Sequence, residues 1–262
     1  MVITALLTGM QLVLSGSSGF EGVTEPISMA VIGTTVPGKV REITVPEGGR
    51  VRKGQVILML EREEEELNVA ITKVVAEDRS DSLATTQKRQ TFERDYKATR
   101  RLFDSSNSVS EEQVWEKELN FKTADAEQLR SVMTKKKEWL EHEMAKAQLE
   151  KRILRAPFDG VVVKHRKKLA ESVQALEPLV DVVDVRRCRF TTYVVAQDAQ
   201  GFRLGQTVSL QLDGARQPRL RKGKITFVSP VVDKASMLRT IKVVFENADG
   251  SIEPGVTGRI LP

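Results

Sequence analysis

Gly38-Lys-Val-Arg-Glu-Ile-Thr-Val-Pro-Glu-Gly48-Gly-Arg-Val-Arg-Lys-Gly54-Gln-Val-Ile57 is the stretch whose reading decides the fold. Ile43 and Val45 alternate with polar neighbours, as in a half-buried strand. Gly48-Gly49 and Lys53-Gly54 read as tight turns that need positive φ. The same positions return at one constant offset later in the chain. Gly160, Val162, Ala170, Val173, Leu176 and Leu179 match Gly38, Val40, Gly48, Val51, Gly54 and Ile57. Two half-motifs with one spacing predict two halves of a single small β-module. Gly38, Gly48, Gly54 and Gly160 are expected as its structural turns or close-packing positions. Ala170 and Leu176 stand where the first half has turn glycines, so the second half is expected to turn differently.

The insertion between the halves has another texture. From Glu61 to Arg152 there is no Gly and no Pro, and good helix formers dominate. Glu63 to Glu66 crowd a first turn, where carboxylates suit the positive end of the helix dipole. Apolar residues recur at three-four spacing: Leu67, Ile71 and Val74, then Phe92, Tyr96, Thr99 and Phe103. Met133, Leu140, Met144 and Ala147 give the second arm a matching stripe, with Lys137 in the gap. Narrow stripes on polar helices predict a coiled coil. Asp104 to Ser108 break the run, and Ser110 with Gln113 forms a capping box. Two nearly equal arms of roughly 40 residues predict an antiparallel hairpin reaching on the order of 60 Å. Asp78, Asp81 and Ser82 interrupt the first stripe and predict an irregularity there. Pro157 is expected to end the second helix.

After the second half-motif, Arg189–Val195, Thr207–Leu212, Gly223–Val228, Ile241–Phe245 and Gly258–Leu261 read as short strands between Gly and Pro turns, which predicts a small β-barrel. At the other end, Val2 to Leu14 form an apolar run followed by small residues, like a secretory leader, although the first basic residue is Lys39. The run is shorter than the about 20 residues of a membrane span. Aromatics make up only 5% of the chain, against the demand of one large core. Cys188 is the sole cysteine, which excludes an internal disulfide and a cysteine zinc cluster. His142 and His165 sit among charges without ligand spacing and are expected at the surface. No aromatic-studded basic stripe appears, so no nucleic-acid partner is expected. No phosphate loop, HExxH, GxSxG or paired-carboxylate motif is present, and neither an enzyme nor a bound cofactor is expected.

Three motifs in order resemble the periplasmic adaptor, or membrane fusion, proteins of bacterial export pumps. Gly38 to Gly48 with Val51, Gly54 and Leu60 is similar to the family's first lipoyl-like half-motif. Ile153-Leu-Arg-Ala-Pro-Phe-Asp-Gly-Val161 is similar to the start of the second. Gly223-Lys-Ile-Thr-Phe-Val-Ser-Pro-Val-Val-Asp233, Thr240 and Asp249 to Val256 resemble its barrel signature. The resemblance implies a mixed α and β, elongated fold: a lipoyl-like β-module split by a long antiparallel coiled-coil hairpin, then a small β-barrel. The expected divisions are a leader at 1–21, half-modules at 22–60 and 153–186, the hairpin at 61–152 and the barrel at 187–262. It also implies a periplasmic subunit, associated with the inner membrane, that links an inner-membrane transporter to an outer-membrane channel and assembles into a ring of six. Many members continue past the barrel; here the last strand meets Pro262, so reduced contact with the pump is expected.

The resemblance places channel docking at the hairpin tip: Leu102, Phe103, Val109 and Ser110. The family's tip has an Arg, a Leu four residues on and a Ser seven beyond that. Leu102 and Ser110 lie one residue too far apart, and the Arg position falls on Ala98, with Lys97, Arg100 and Arg101 nearby. One residue turns a helix by about 100°, so Arg101 does not simply substitute. The basic cluster Arg216, Arg219, Arg221, Lys222 and Lys224 is the candidate pump-docking strand. Two other readings stand beside this one. A structural coiled-coil protein without a transporter leaves the repeat and barrel unexplained. A biotinyl or lipoyl carrier needs a lysine on the turn that the helical hairpin has replaced.

Overall fold

The computed structural model describes residues 19–106, 108–213 and 219–261. The leader motif through residue 18, and Arg216 of the basic cluster, lie outside them. Strand β1 (Phe20–Gly33) comes first, so residues 20 and 21, expected in the leader, belong to the folded body. Then follow β2 (Gly38–Ile43), β3 (Arg50–Val51), β4 (Val56–Leu60), helices α1 (Glu63–Glu77), α2 (Ser80–Ser106) and α3 (Glu111–Glu150), and β5 (Ile153–Arg155), β6 (Gly160–His165) and β7 (Ser172–Val173). Strand β8 (Pro178–Val195), β9 (Thr207–Leu212), β10 (Arg219–Val228), β11 (Leu238–Glu246) and β12 (Thr257–Leu261) complete the chain. The fold class is the expected mixture: a split β-module, a helical hairpin and a barrel.

The two half-motifs pair as one pseudo-symmetric module. Val51 lies opposite Gly160, and Val173 opposite Gly38. Gly48 N donates to Val162 O at 2.8 Å, and the equivalent Ala170 N donates to Val40 O at 2.8 Å. Gly54 N donates to Ala156 O at 2.8 Å, and Leu176 N to Thr34 O at 2.7 Å. One buried cluster joins both halves, with Val40, Ile57 and Leu60 against Leu154, Val162 and Leu179.

The equivalence corrects the expected difference in turns. Gly48 and Gly54 have φ of 80° and 83°; Ala170 and Leu176 keep the same left-handed backbone at 63° and 64°. Pairing across the module therefore overrides residue preference, at a cost of about 1–2 kcal/mol per side-chain-bearing residue. Gly38 and Gly160, expected in turns or at close-packing positions, are strand residues. A Cβ at Gly160 would approach Val183 O closer than 3.0 Å, so its role is close backbone packing.

Strands β1, β12, β9, β10, β11 and β8 close into a barrel, because β1 pairs with β8 as well as with β12. A second buried cluster fills it, including Phe190, Leu210, Ile225, Ile241 and Ile260. Strands β1 and β8 run through both bodies. The expected boundary at 186/187 falls inside β8, at the register shift between Pro26 and Ser28 of β1.

The hairpin arms are antiparallel: Thr72 meets His142, Lys88 meets Glu127 and Tyr96 stacks on Phe121. The first arm breaks at Asp78-Arg79, where Asp78 has extended ψ and its carboxylate accepts from Ser80 N at 2.9 Å. That bond, first, holds the Asp78 carboxyl below its usual range. Pro157 is not the helix stop. Helix α3 already ends at Glu150, and the Lys151 and Arg152 amides close its last turn before β5 begins.

Candidate functional site

The hairpin tip is built from the end of α2 and the start of α3. Ser110 Oγ accepts from Gln113 N at 3.2 Å, and Gln113 Oε1 accepts from Ser110 N at 3.0 Å. This reciprocal cap fixes where α3 begins, and Val114 directly behind it is buried. Leu102 is half exposed, and Phe103 and Val109 are partly buried. The Arg100 guanidinium lies 5.8 Å from the Phe103 ring centre and bonds Asp104 at 3.2 Å. Arg101 Nε donates to Lys97 O, so this guanidinium is held against its own helix. Leu102 and Ser110 are thus presented outward, whereas Phe103 belongs partly to the seam.

Along α2 the stripe Phe92, Tyr96, Thr99 and Phe103 lies half-buried in the seam, but where α1 runs beside α3 the largest apolar side chains point outward. The hairpin's lower seam is mostly polar or small: Glu65, Thr72 and Ala76 lie inward on one arm and Ser131, Glu138, His142 and Ala145 on the other, with Val69 and Leu149 as its half-buried apolar members. His142, expected at the surface, is buried there, with Nδ1 3.1 Å from Thr72 Oγ1. Lys135 Nζ reaches across to Val75 O at 2.9 Å. The apolar stripes are on the opposite faces. Leu67, Ile71 and Val74 on one arm, and Met133, Leu140 and Met144 on the other, are all more than half exposed. At about 100° per residue, both stripes lie half a helical turn from the seam. They were expected to pair with each other; instead each faces away from its partner arm.

The basic cluster does not form one patch. Strand alternation puts Gly223 and Ile225 inward and Lys222 and Lys224 outward, with Leu220. Arg219 and Arg221 lie on the other face, and Arg221 is committed to Asp249 at 2.8 Å and to Ser251 Oγ at 2.6 Å. The run Lys164 to Lys168 is similarly engaged. Arg166 makes a two-pronged bond to buried Asp181 at 2.9 Å and 2.9 Å. Lys167 bridges Glu171 and Glu177, tying the two left-handed turns together. His165 Nε2 lies 2.8 Å from Val45 O, so it too is structural, not a free surface ring.

The acidic run at the start of α1 is held by cations: Arg152 reaches Glu65 at 2.5 Å and Arg62 reaches Glu66 at 2.9 Å. Among the described residues no cluster of His, Cys, Asp and Glu could hold a metal ion, and no helix is long and apolar enough to cross a membrane.

These parts have a known counterpart. The model of the CzcB-like barrel-sandwich hybrid domain matches residues 28–184, more than half of the chain. The chain belongs to this family. For a CzcB-like protein the matched span starts inside β1 and ends inside β8, so it covers the split module and the whole hairpin. The fold is that of membrane fusion and periplasmic adaptor proteins of efflux pumps. The crystal structure of MacA from Actinobacillus actinomycetemcomitans superposes with a TM-score of 0.74 at 18% identity, covering 92% of this chain and 78% of that one. The membrane fusion protein Spr0693 from Streptococcus pneumoniae gives a TM-score of 0.57 at 14% identity, over 92% and 96%. An uncharacterized protein of Haemophilus influenzae is 25% identical over 229 residues, 87% of this chain. The chain spans about half the length of that curated relative, 52%.

Proposed function

We propose that this chain is a non-enzymatic periplasmic adaptor subunit, linking an inner-membrane transporter to an outer-membrane channel for efflux or secretion. The observation that carries the reading is the split β-module with a long hairpin inserted at one junction and a barrel built on the other. A hairpin of this kind acts as a spacer with a docking tip, and the β-bodies offer rigid bases. None of the three needs a reactive group. Tagged full-length protein, captured from cross-linked membranes, is expected to bring down both an inner-membrane transporter and an outer-membrane channel. Recovery of neither, from cells that make the protein in the envelope, overturns the reading.

In the same proposal the subunit assembles into a ring, six in number by family resemblance. The outward stripes support this. A hairpin whose lower part carries an apolar face on each outer edge buries those faces when hairpins stand side by side, each first arm against a neighbour's second. Ile71→Glu with Leu140→Glu should convert the assembled protein to monomers in sedimentation experiments. An assembly state unchanged by the pair would remove the stripes from the interface. The outward lysines Lys222 and Lys224 remain the better part of the proposed pump contact; Arg219 and Arg221 face elsewhere.

A further inference from the structure

One end of the barrel gathers features that the adaptor contacts above leave unused. The registers place them together: Phe20 opposite Ile260, Leu261 opposite Ser209, Val195 opposite Leu238 and Val228 opposite Ile241. The start of β1, the end of β12, the loop between β8 and β9 and the β10–β11 loop therefore share one end. Along β8 this end is remote from the split module, whose core holds Leu179, Val180 and Val182.

Three large apolar side chains stand out from it. Leu204 is 73% exposed, Val231 69% and Met237 61%. The loop carrying two of them is tied by its own hydrogen bonds. Asp233 Oδ1 accepts from Ala235 N at 3.1 Å, Ser236 N at 2.8 Å and Ser236 Oγ at 2.8 Å. Met237 N donates to Asp233 O, and Asp233 N to Leu238 O. These bonds hold Met237 at a φ of 58°, a left-handed backbone that disfavours a side chain. A strained, internally hydrogen-bonded turn that points a methionine into solvent is poorly explained by the barrel's own packing.

We infer that this end of the barrel rests on an anionic lipid surface, with Leu204, Val231 and Met237 entering the bilayer interface. Separate apolar fingertips on two loops suit a deformable interface better than a shaped protein pocket. Exposed Arg203 and Lys234 flank them and suit anionic headgroups; of the acids on these two loops, Asp233 is occupied within its own loop and Asp198 is exposed. The inference needs a membrane neighbour, as the adaptor reading supplies, but neither a pump nor a channel.

The test uses full-length protein carrying Val231→Cys or Met237→Cys, labelled with an environment-sensitive dye. Cys188 is fully buried and its thiol pKa is pushed up by burial, so the new cysteine is labelled selectively. Vesicles of phosphatidylcholine with phosphatidylglycerol should shift the emission to the blue, and a nitroxide-bearing lipid should quench it. A control label at Leu102→Cys should do neither. Val231→Asp with Met237→Asp should lower vesicle co-sedimentation at least about ten-fold, with a smaller loss for vesicles of phosphatidylcholine alone. Absence of a shift at both positions overturns the inference. So does a shift that appears only with native membranes and is lost when their proteins are removed, which would assign this end to a protein partner. Either result leaves the transporter and channel capture unaffected.

Discussion

Gly160→Ala is expected to weaken the split module by about 3 kcal/mol or more, the upper range for overpacking where the obstruction is backbone. The added Cβ would come within 3.0 Å of Val183 O, with the Val183 carbonyl carbon beside it. A side chain could rotate away; a ladder carbonyl cannot move without separating β6 from β8. Those strands carry Val162 and Val182, both fully buried in the core shared by the two halves. The measurement is amide exchange in β6 and β8, where 3 kcal/mol is on the order of a hundred-fold loss of protection. Unchanged protection would show that the strands absorb the methyl group. The glycines at the turns should behave differently. A Cβ on Gly54 meets nothing within 4 Å, so Gly54→Ala carries only the left-handed penalty, about 1–2 kcal/mol. Leu176, at the equivalent position, is 79% exposed and already bears that penalty. Leu176→Gly relieves it, offset by about 0.5–1 kcal/mol of unfolded-chain entropy, and should be neutral or slightly stabilising.

What was legible in the sequence, and what was not, follows from the same residues. The repeat was legible because each half must bury Val40 or Val162 and place its turns at one spacing. The cap at Ser110 and the break near Asp78 were legible because local side-chain bonds create them. The left-handed turns at Ala170 and Leu176 were not, since hydrogen bonds from the other half impose them against local preference. Strand β1 was hidden for a related reason. Its Pro26 falls at a bulge between two bodies, so no single alternation runs through Phe20–Gly33. The hairpin stripes show a further limit. Period gives the spacing of a stripe but not its phase, so Leu67, Ile71 and Val74 looked like a seam although Glu65, Val69, Thr72 and Ala76 form it. The exposed ends, Leu204, Val231 and Met237, carried no periodic signal at all.

Leu102→Asp and Ser110→Asp are expected to release the outer-membrane channel from the adaptor while leaving the hairpin folded. The prediction rests on the proposed tip contact. Leu102 is half exposed at the end of α2, where an apolar side chain contributes little to the hairpin's own stability. If a partner buries it, a charge there should cost the contact about 2 kcal/mol, or roughly thirty-fold in affinity. Ser110 needs more care. Its hydroxyl caps α3, and Ser110→Arg would remove that cap, at about 1 kcal/mol, together with any contact. Aspartate caps a helix about as well as serine and suits the positive end of the dipole, so Ser110→Asp separates docking from folding. Phe103 is a poor probe, because its ring is partly buried beneath Arg100 and its loss would disturb the seam. The readout is the channel recovered with tagged adaptor from cross-linked envelopes, at equal adaptor abundance and equal helical content. Both variants should lose most of it while still recovering the transporter. Undiminished channel recovery in both would place the contact away from the tip, and loss of the transporter as well would point to a collapsed hairpin.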